Sequence, residues 1–202
     1  MLIAIEGIDG SGKSTIANYL KEELEKEGFR VVVFKEPTNS IYGQKIRQSF
    51  NNRLDAHKEL ELFLLDRKHD VEKNILPALK KGYIIVMDRY YYSTIAYQGA
   101  RGIDIDKIKK MNEKIAPKPD LVIILDVKPE IGIRRIKERG DKPNKFEDLE
   151  YLEKVRKIFL ELKDDNIVIV DANKNIEFVK NEVLKAIKKF LKFKDTQNSH
   201  QA

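Results

Sequence analysis

Gly7-Ile8-Asp9-Gly10-Ser11-Gly12-Lys13-Ser14-Thr15 (GIDGSGKST) separates two different patterns in this chain. Before it runs the short apolar segment Met1-Leu2-Ile3-Ala4-Ile5-Glu6. After it, the apolar positions of Ile16-Ala17-Asn18-Tyr19-Leu20-Lys21-Glu22-Glu23-Leu24 recur at helical spacing. A stretch that fits G-x-x-x-x-G-K-[ST] and lies between a strand and a helix is a cradle for polyphosphate. Its glycines let the backbone wrap so that successive N–H groups turn inward to phosphate oxygens. A helix beginning at about Lys13 adds the positive end of its dipole. Gly7, Ile8, Asp9, Gly10, Ser11, Gly12, Lys13, Ser14 and Thr15 then surround the phosphates. Lys13 reaches the β and γ groups, and the Ser14 hydroxyl ligates Mg²⁺.

Working outward from the cradle, apolar runs stand at 2–6, 30–35, 83–88, 120–127 and 166–171. They are continuous rather than alternating, as in strands covered on both faces of a parallel sheet. Helical patterns fill the gaps. Gly28 and Gly82 stand where helices end before strands, and Asp55 is placed to cap a helix starting near Ala56. The chain therefore reads as α/β: a three-layer α/β/α domain with a five-stranded parallel sheet and right-handed crossovers. Ligands in such sheets bind at the carboxyl ends of the strands. One domain is expected over 1–192, followed by a polar, frayed tail over 193–202. A helix predicted over 56–81 is apolar on nearly every side at Leu60, Leu62, Phe63, Leu64 and Leu65. It is either central to the core or covered by a second subunit. Pro77 should kink it near its end.

The 202 residues, 42% of them hydrophobic, support one sizeable core. No apolar run approaches the ~20 residues of a membrane span, and no basic n-region of a signal peptide precedes the first strand. There is no cysteine, which removes disulfides and thiolate metal sites. A cytoplasmic protein without a membrane partner is expected. His57, His69 and His200 show no ligand spacing. The net charge of +6 and pI near 9.2 raise nucleic-acid binding. However, Lys180, Lys185, Lys188, Lys189, Lys192 and Lys194 interleave with Ile176, Phe178, Val179, Val183, Leu184, Ile187, Phe190 and Leu191, the pattern of a docked amphipathic helix with a wet face. An anionic small substrate is the expectation, with no nucleic-acid partner.

Asp88 ends the third predicted strand and is placed to hold Mg²⁺ beside the cradle. Arg89 follows it at once, a cation suited to a second phosphate. Asp126, near the end of the fourth strand, reads equally as a site residue or as a cap. Arg134, Arg135, Lys137, Arg139, Lys142 and Lys145 crowd one segment that Gly140 and Pro143 break. This reads as a lid over about 134–147 that closes on ATP and supplies a guanidinium to the transferring phosphoryl group. Asn144-Lys145-Phe146-Glu147 mimics a guanine-reading N-K-x-D, but it lies in that basic segment and ends in Glu. Asp88-Arg89-Tyr90-Tyr91 also lacks the glycine of a GTPase switch.

In combination these motifs resemble the thymidylate kinase family of P-loop nucleoside monophosphate kinases, over Met1 to about Phe190. The ordered series is Glu6-Gly7-x-Asp9-Gly10-x-Gly12-Lys13-Ser14-Thr15, Glu36-Pro37, Phe63-x-x-x-Arg67, Asp88-Arg89-Tyr90, Ser93-Thr94-x-Ala96-Tyr97-Gln98-Gly99 and Pro119-Asp120-Leu121. The resemblance implies transfer of the γ-phosphoryl of MgATP to dTMP, giving dTDP and ADP. It implies a dTMP site of Asp9, Glu36, Pro37, Arg47, Phe63, Arg67, Arg89, Ser93, Tyr97 and Gln98. Within that site, Asp9 contacts the sugar 3′-hydroxyl and Phe63 stacks on thymine. Arg67 reaches O4, Arg47 and Arg89 hold phosphate, Tyr97 crowds the sugar 2′ position, and Gln98 sits beside the base. Lys13, Asp9, Arg89 and Arg139 are the implied catalytic residues, Arg135 binds the donor, and Ser14 and Asp88 hold the metal. A homodimer through the apolar helix 56–81 is also implied. Some members carry arginine in the P-loop after the aspartate. Here that position is Gly10, which leaves Arg135, Arg139 or Lys145 of the lid as the catalytic cation.

Overall fold

The computed structural model describes residues 1–140 and 146–199. Strands β1 (Leu2–Glu6), β2 (Val31–Lys35), β3 (Ile84–Asp88), β4 (Leu121–Asp126) and β5 (Ile167–Asp171) form one parallel sheet in the order β2-β3-β1-β4-β5. The helices are α1 (Lys13–Lys26), α2 (Ile41–Gln48), α3 (Ala56–Asp70), α4 (Leu76–Lys80), α5 (Tyr91–Gly99), α6 (Ile105–Glu113), α7 (Pro129–Glu138), α8 (Leu149–Glu161) and α9 (Ile176–Ser199). Each expected strand lies within one residue of its observed bounds. The central strands are as dry as their composition requires: β1 and β3 are buried at every residue. The edges differ. Ile169 of β5 is exposed, and β2 is buried fully only at Val31. An edge strand has one sheet neighbour and less cover, so a continuous apolar run did not guarantee burial there.

The register sets the site. Ile5 of β1 pairs with Asp88 of β3, and Lys35 of β2 pairs with the same Asp88. The carboxyl ends of three adjacent strands therefore converge beside the loop that leaves β1, the switch point where such sheets bind ligands.

The helix expected over 56–81 begins as foreseen. The Asp55 carboxylate accepts from the N–H groups of His57 and Lys58 at 2.9 and 3.3 Å. It is not uniform, however. A π-helical turn over Val71–Ile75 separates α3 from α4. Pro77 has no N–H to give the carbonyl of Lys73, and its ring crowds that turn, so the chain widens by one residue ahead of it. The boundary drawn at 193 does not coincide with a helix end either. The backbone of α9 continues to Ser199, because 193–199 contains polar residues but no glycine or proline to stop propagation. Residues 200–202 lie outside the described residues.

Candidate active site

The loop that opens at Gly7 runs between β1 and α1. Lys13 opens α1, and its ammonium donates to the Ile8 carbonyl at 2.7 Å and reaches Ser11 Oγ at 3.4 Å. Burial, and next the nearby Arg89, hold the Lys13 amine down at about 7. Gly10 has φ +78°, and a Cβ there would stand 2.2 Å from the carbonyl oxygen of Gly132 in α7. A Cβ on Gly132 would in turn meet the Asp9 carbonyl at 2.5 Å. The crest of the loop and α7 meet backbone to backbone, with no room for a side chain on either partner. An arginine at position 10 is sterically excluded in this arrangement.

Gly10, Ser11, Gly12 and Thr15 line one cleft together with Arg135, Glu138 and Arg139 from the α7 end, and Ala172, Lys174, Asn175, Ile176 and Val179 from the β5–α9 end. Arg135 donates to the Lys174 carbonyl at 3.3 Å. Both arginines of this cleft were legible in the sequence, but its far wall was not, because 172–179 carries no motif. Lys142 and Lys145, with the rest of 141–145 in the expected lid, lie outside the described residues.

A second cavity opens on the other side of the same loop. It is lined by Asp9, Phe50, Phe63, Arg89, Ser93, Thr94, Tyr97, Phe146 and Glu147. Arg89 is the one non-glycine residue with positive φ among the described residues, at +71°, a conformation that needs support from its surroundings. It has that support: its N–H donates to the Ile5 carbonyl at 3.1 Å, and its guanidinium reaches Asp9, Ser93 Oγ (3.0 Å) and the Gly7 carbonyl (3.3 Å). Tyr97 donates to Asp9 Oδ2 at 2.8 Å and accepts from the Asp9 N–H at 3.2 Å. Burial would raise the Asp9 pKa, but Arg89 and Lys13 outweigh it, and the carboxyl is held below its ordinary range. The Arg89 pKa is raised, despite its own burial, chiefly by Asp9. Asp9 and Arg89 thus remain a charged pair across neutral pH.

Beneath the loop, the Ser14 hydroxyl donates to Asp88 Oδ2, and Lys35 stands 3.1 Å from that oxygen and 3.2 Å from Ser14 Oγ. Burial opposes ionisation of Asp88. Lys13, Lys35 and the Ser14 hydrogen bond override it and lower its pKa. Asp88 Oδ1 is buried and has no protein partner. An orphaned carboxylate oxygen next to a serine hydroxyl beneath the glycine-rich loop is a donor set that fits Mg²⁺. Lys35 was not foreseen. The available signal was its place at the last position of β2, in register with Asp88.

Other expected residues are near but differently engaged. Arg67 is buried at 1% exposure, where it ion-pairs with Glu36 and donates to Thr94 Oγ1 at 3.1 Å and to Asn112. Thr94, rather than Arg67, lines the cavity. Burial raises the Glu36 pKa even though Arg67 opposes the shift. Arg47 donates to the Pro37 carbonyl at 3.0 Å and to Asn39 Oδ1 at 3.2 Å. Gln98 does not join the cavity lining: it is fully buried and donates to Glu59 at 2.7 Å. Successive helical residues are rotated by about 100°, so with Ser93, Thr94 and Tyr97 on the cavity face of α5, Gln98 turns away. Asp126 is bound by Arg156 of α8 through two hydrogen bonds of 2.6 and 2.9 Å, a tie between β4 and α8 that neither of its two readings named. Phe50, Thr94 and Phe146 were not singled out as pocket residues. Phe146 and Glu147, half of the N-K-x-D mimic, line the second cavity.

A family model for thymidylate kinase matches residues 5–183. A probable thymidylate kinase of Archaeoglobus fulgidus is 58% identical over 198 residues, covering 98% of this chain and 100% of the relative. A thymidylate kinase of Xanthomonas campestris is 47% identical over 180 residues, 89% of this chain and 79% of the relative. One of Xylella fastidiosa is 42% identical over 193 residues, 95% and 92%.

Proposed function

The chain belongs to the thymidylate kinase family, and from that premise we propose that its two cavities hold MgATP and dTMP on opposite sides of the loop 7–15 and pass a phosphoryl group between them. The observation that carries this reading is the division of that loop: Gly10, Ser11 and Gly12 line one cavity and the adjacent Asp9 lines the other.

In this reading Lys13 and the inward N–H groups take the β and γ phosphates, and Arg135 and Arg139 close the donor cleft at its α7 end. Arg139 is the first candidate for the cation at the transferring group, with Arg135 and Lys145 next. Ser14 and Asp88 hold Mg²⁺, which neutralises charge on the donor phosphates when bound. Arg89 clamps the dTMP phosphate and Asp9 takes the sugar 3′-hydroxyl. An oxygen of that phosphate attacks the γ phosphorus as the bond to the ADP oxygen breaks. The attacking oxygen is already ionised near neutral pH, so no general base is needed. Phe63 stacks on the base, and Tyr97 fills the space of a 2′-hydroxyl. Arg47, Glu36 and Pro37 shape the approach from α2 and the loop before it. Residues 134–147 act as the lid of a single domain.

The same reading includes a cytoplasmic enzyme and a homodimer built on α3, where Leu62, Phe63, Leu64 and Leu65 are only half-buried. No helix among the described residues is long and apolar enough to cross a membrane. Initial rates of ADP formation with and without dTMP test the activity. Acceptor-dependent turnover is expected, and basal GTP hydrolysis without acceptor dependence would overturn it. Sedimentation should give twice the chain mass, and Leu65→Glu should give a monomer.

A further inference from the structure

We infer that Arg53, outside the cavity lining, sets the width of the slot that receives the acceptor's base, by fixing Phe146 opposite Phe63. The inference rests on the acceptor assignment of that cavity. Phe63 and Phe146 both line it. Phe63 is carried by α3, and Phe146 arrives from a different part of the chain, so something must fix the distance between them. The Arg53 guanidinium lies over the Phe146 ring, 3.6 Å from its centroid. Its Nε donates to Glu59 Oε2 at 3.0 Å and its Nη2 to Glu59 Oε1. Glu59 is fully buried on α3, one turn before Phe63 and on the same face. Gln98 donates to that carboxylate at 2.7 Å, and Arg101 lies 3.1 Å from it. The chain of contact runs Phe63, helix α3, Glu59, Arg53, Phe146.

The chemistry suits the task. A fork-like pair with a carboxylate fixes the plane of a guanidinium as well as its place, and a guanidinium of fixed plane orients the ring stacked on it. Arg53 also donates to Tyr151 Oη at 3.3 Å, and Tyr151 donates to the Tyr97 carbonyl at 2.5 Å, which ties the same group to the helix bearing the sugar-side tyrosine. Phe50 meets Phe146 edge-on, with ring centroids 5.2 Å apart, and closes the side. Arg53 lines neither cavity and acts through Phe146, a wall of the acceptor cavity, so its effect falls on acceptor affinity.

The test uses Arg53→Met, Arg53→Lys and, because the chain has no tryptophan, Phe146→Trp as a single fluorescent reporter. Cation–π contacts support changes of roughly 2- to 30-fold. Arg53→Met should raise the KM for dTMP by roughly tenfold within that range, with the KM for ATP within about twofold of wild type. Arg53→Lys keeps a cation for Glu59, so its melting temperature should recover, but it lacks a planar face, so the KM defect should persist. Titrating dTMP into Phe146→Trp should change the emission, and adding Arg53→Met should weaken that titration by the same factor. An unchanged dTMP KM in Arg53→Met, full KM recovery in Arg53→Lys, or a Phe146→Trp emission indifferent to dTMP would each overturn the inference. If the emission responds to dTMP but the wild type shows no dTMP-dependent turnover, the kinase reading falls and the role of Arg53 in the slot stands.

Discussion

The proposed cradle for the donor's phosphates and the proposed acceptor cavity meet at Asp9, and they are made of different material. The first is largely backbone from one contiguous stretch, with Gly10 pressed against Gly132 so closely that neither can carry a Cβ. The second is made of side chains gathered from distant parts of the chain and held by ion pairs: Arg89 with Asp9, Arg67 with Glu36, Arg53 with Glu59. Phosphates are the same on every nucleotide, so a rigid set of N–H groups serves for all of them. A base and a sugar must be told apart, and only side chains differ enough to do that.

The sharpest break in this contrast is Lys13, the main side chain of the backbone-built end. Lys13→Ala should lower kcat by roughly 10²–10³-fold, the range for losing one donor at developing charge, and leave the KM for dTMP nearly unchanged. A parallel loss of dTMP affinity would mean that the two ends are not separable. Next in size is the glycine contact. Gly10→Ala adds left-handed strain of about 1–2 kcal/mol to overpacking of about 1–3 kcal/mol. Gly28→Ala, at φ +88° with nothing within 4 Å of its Cβ, carries only the strain of about 1–2 kcal/mol. Denaturant midpoints of the two variants should differ in that order, and equal midpoints would show that α7 gives way at Gly132.

The side-chain end should show smaller, graded effects. The Thr94 hydroxyl accepts from Arg67, which leaves its own hydrogen to donate into the cavity. A carbonyl at O4 of thymine or uracil accepts it, whereas the amino group of cytosine does not. dTMP should be used best, dUMP about 10–200-fold less for want of a packed methyl group, and dCMP least. Thr94→Val should compress the dTMP-to-dCMP ratio in kcat/KM more than the dTMP-to-dUMP ratio. Equal use of dCMP by the wild type would refute the base assignment. Thr94 is the better probe than Arg67, since Arg67→Ala leaves the buried Glu36 unpaired at a cost of about 3–5 kcal/mol. Tyr97→Phe should keep the preference for deoxyribose because the ring remains.

The same contrast explains what could be read from sequence. Lys13, Ser14 and Asp88 were legible because backbone-built sites need fixed spacing, and strand ends announce themselves by an apolar run that stops on a charge. The order of the strands was not legible, since alternating strands and helices leave it open, and the π turn before Pro77 was foreseen only as a kink. Arg89 was legible from its place directly after Asp88 at a strand end, whereas Arg67 and Tyr97 were found through resemblance. Their placement depends on partners such as Glu36 and Thr94 that no spacing reveals. Phe50 and Phe146 escaped as wall residues because an aromatic in a loop reads the same whether it covers core or lines a cavity. Gln98 was misplaced by adjacency: Tyr97 beside it lines the cavity, and one step along a helix turns the next residue away.

The smallest expected effect distinguishes the two ends by their protons. Lys13 is held at about 7 by burial and by Arg89, against an ordinary 10.5. Between those values the folded chain carries fewer protons than the unfolded one, so this group makes stability rise with pH from about 7 to 10.5. Polyphosphate reverses the balance. Its charge favours the ammonium, so binding at pH ~8.5 should draw about one proton from solution. The acceptor end should draw none. Asp9 is held ionised by Arg89, Arg89 is held protonated by Asp9, and the phosphate of dTMP has already lost its second proton well below pH ~8.5. Calorimetric titrations in buffers of different ionisation enthalpy measure this directly. The heat of ATP binding should depend on the buffer, that of dTMP binding should not, and Lys13→Met should abolish the dependence for ATP. Buffer-dependent heat that persists in Lys13→Met would move the titrating group away from the cradle. Buffer-dependent heat with dTMP would show that Asp9 and Arg89 do not hold each other's charge, and the distinction between a backbone-built end and a charge-paired end would then need another basis.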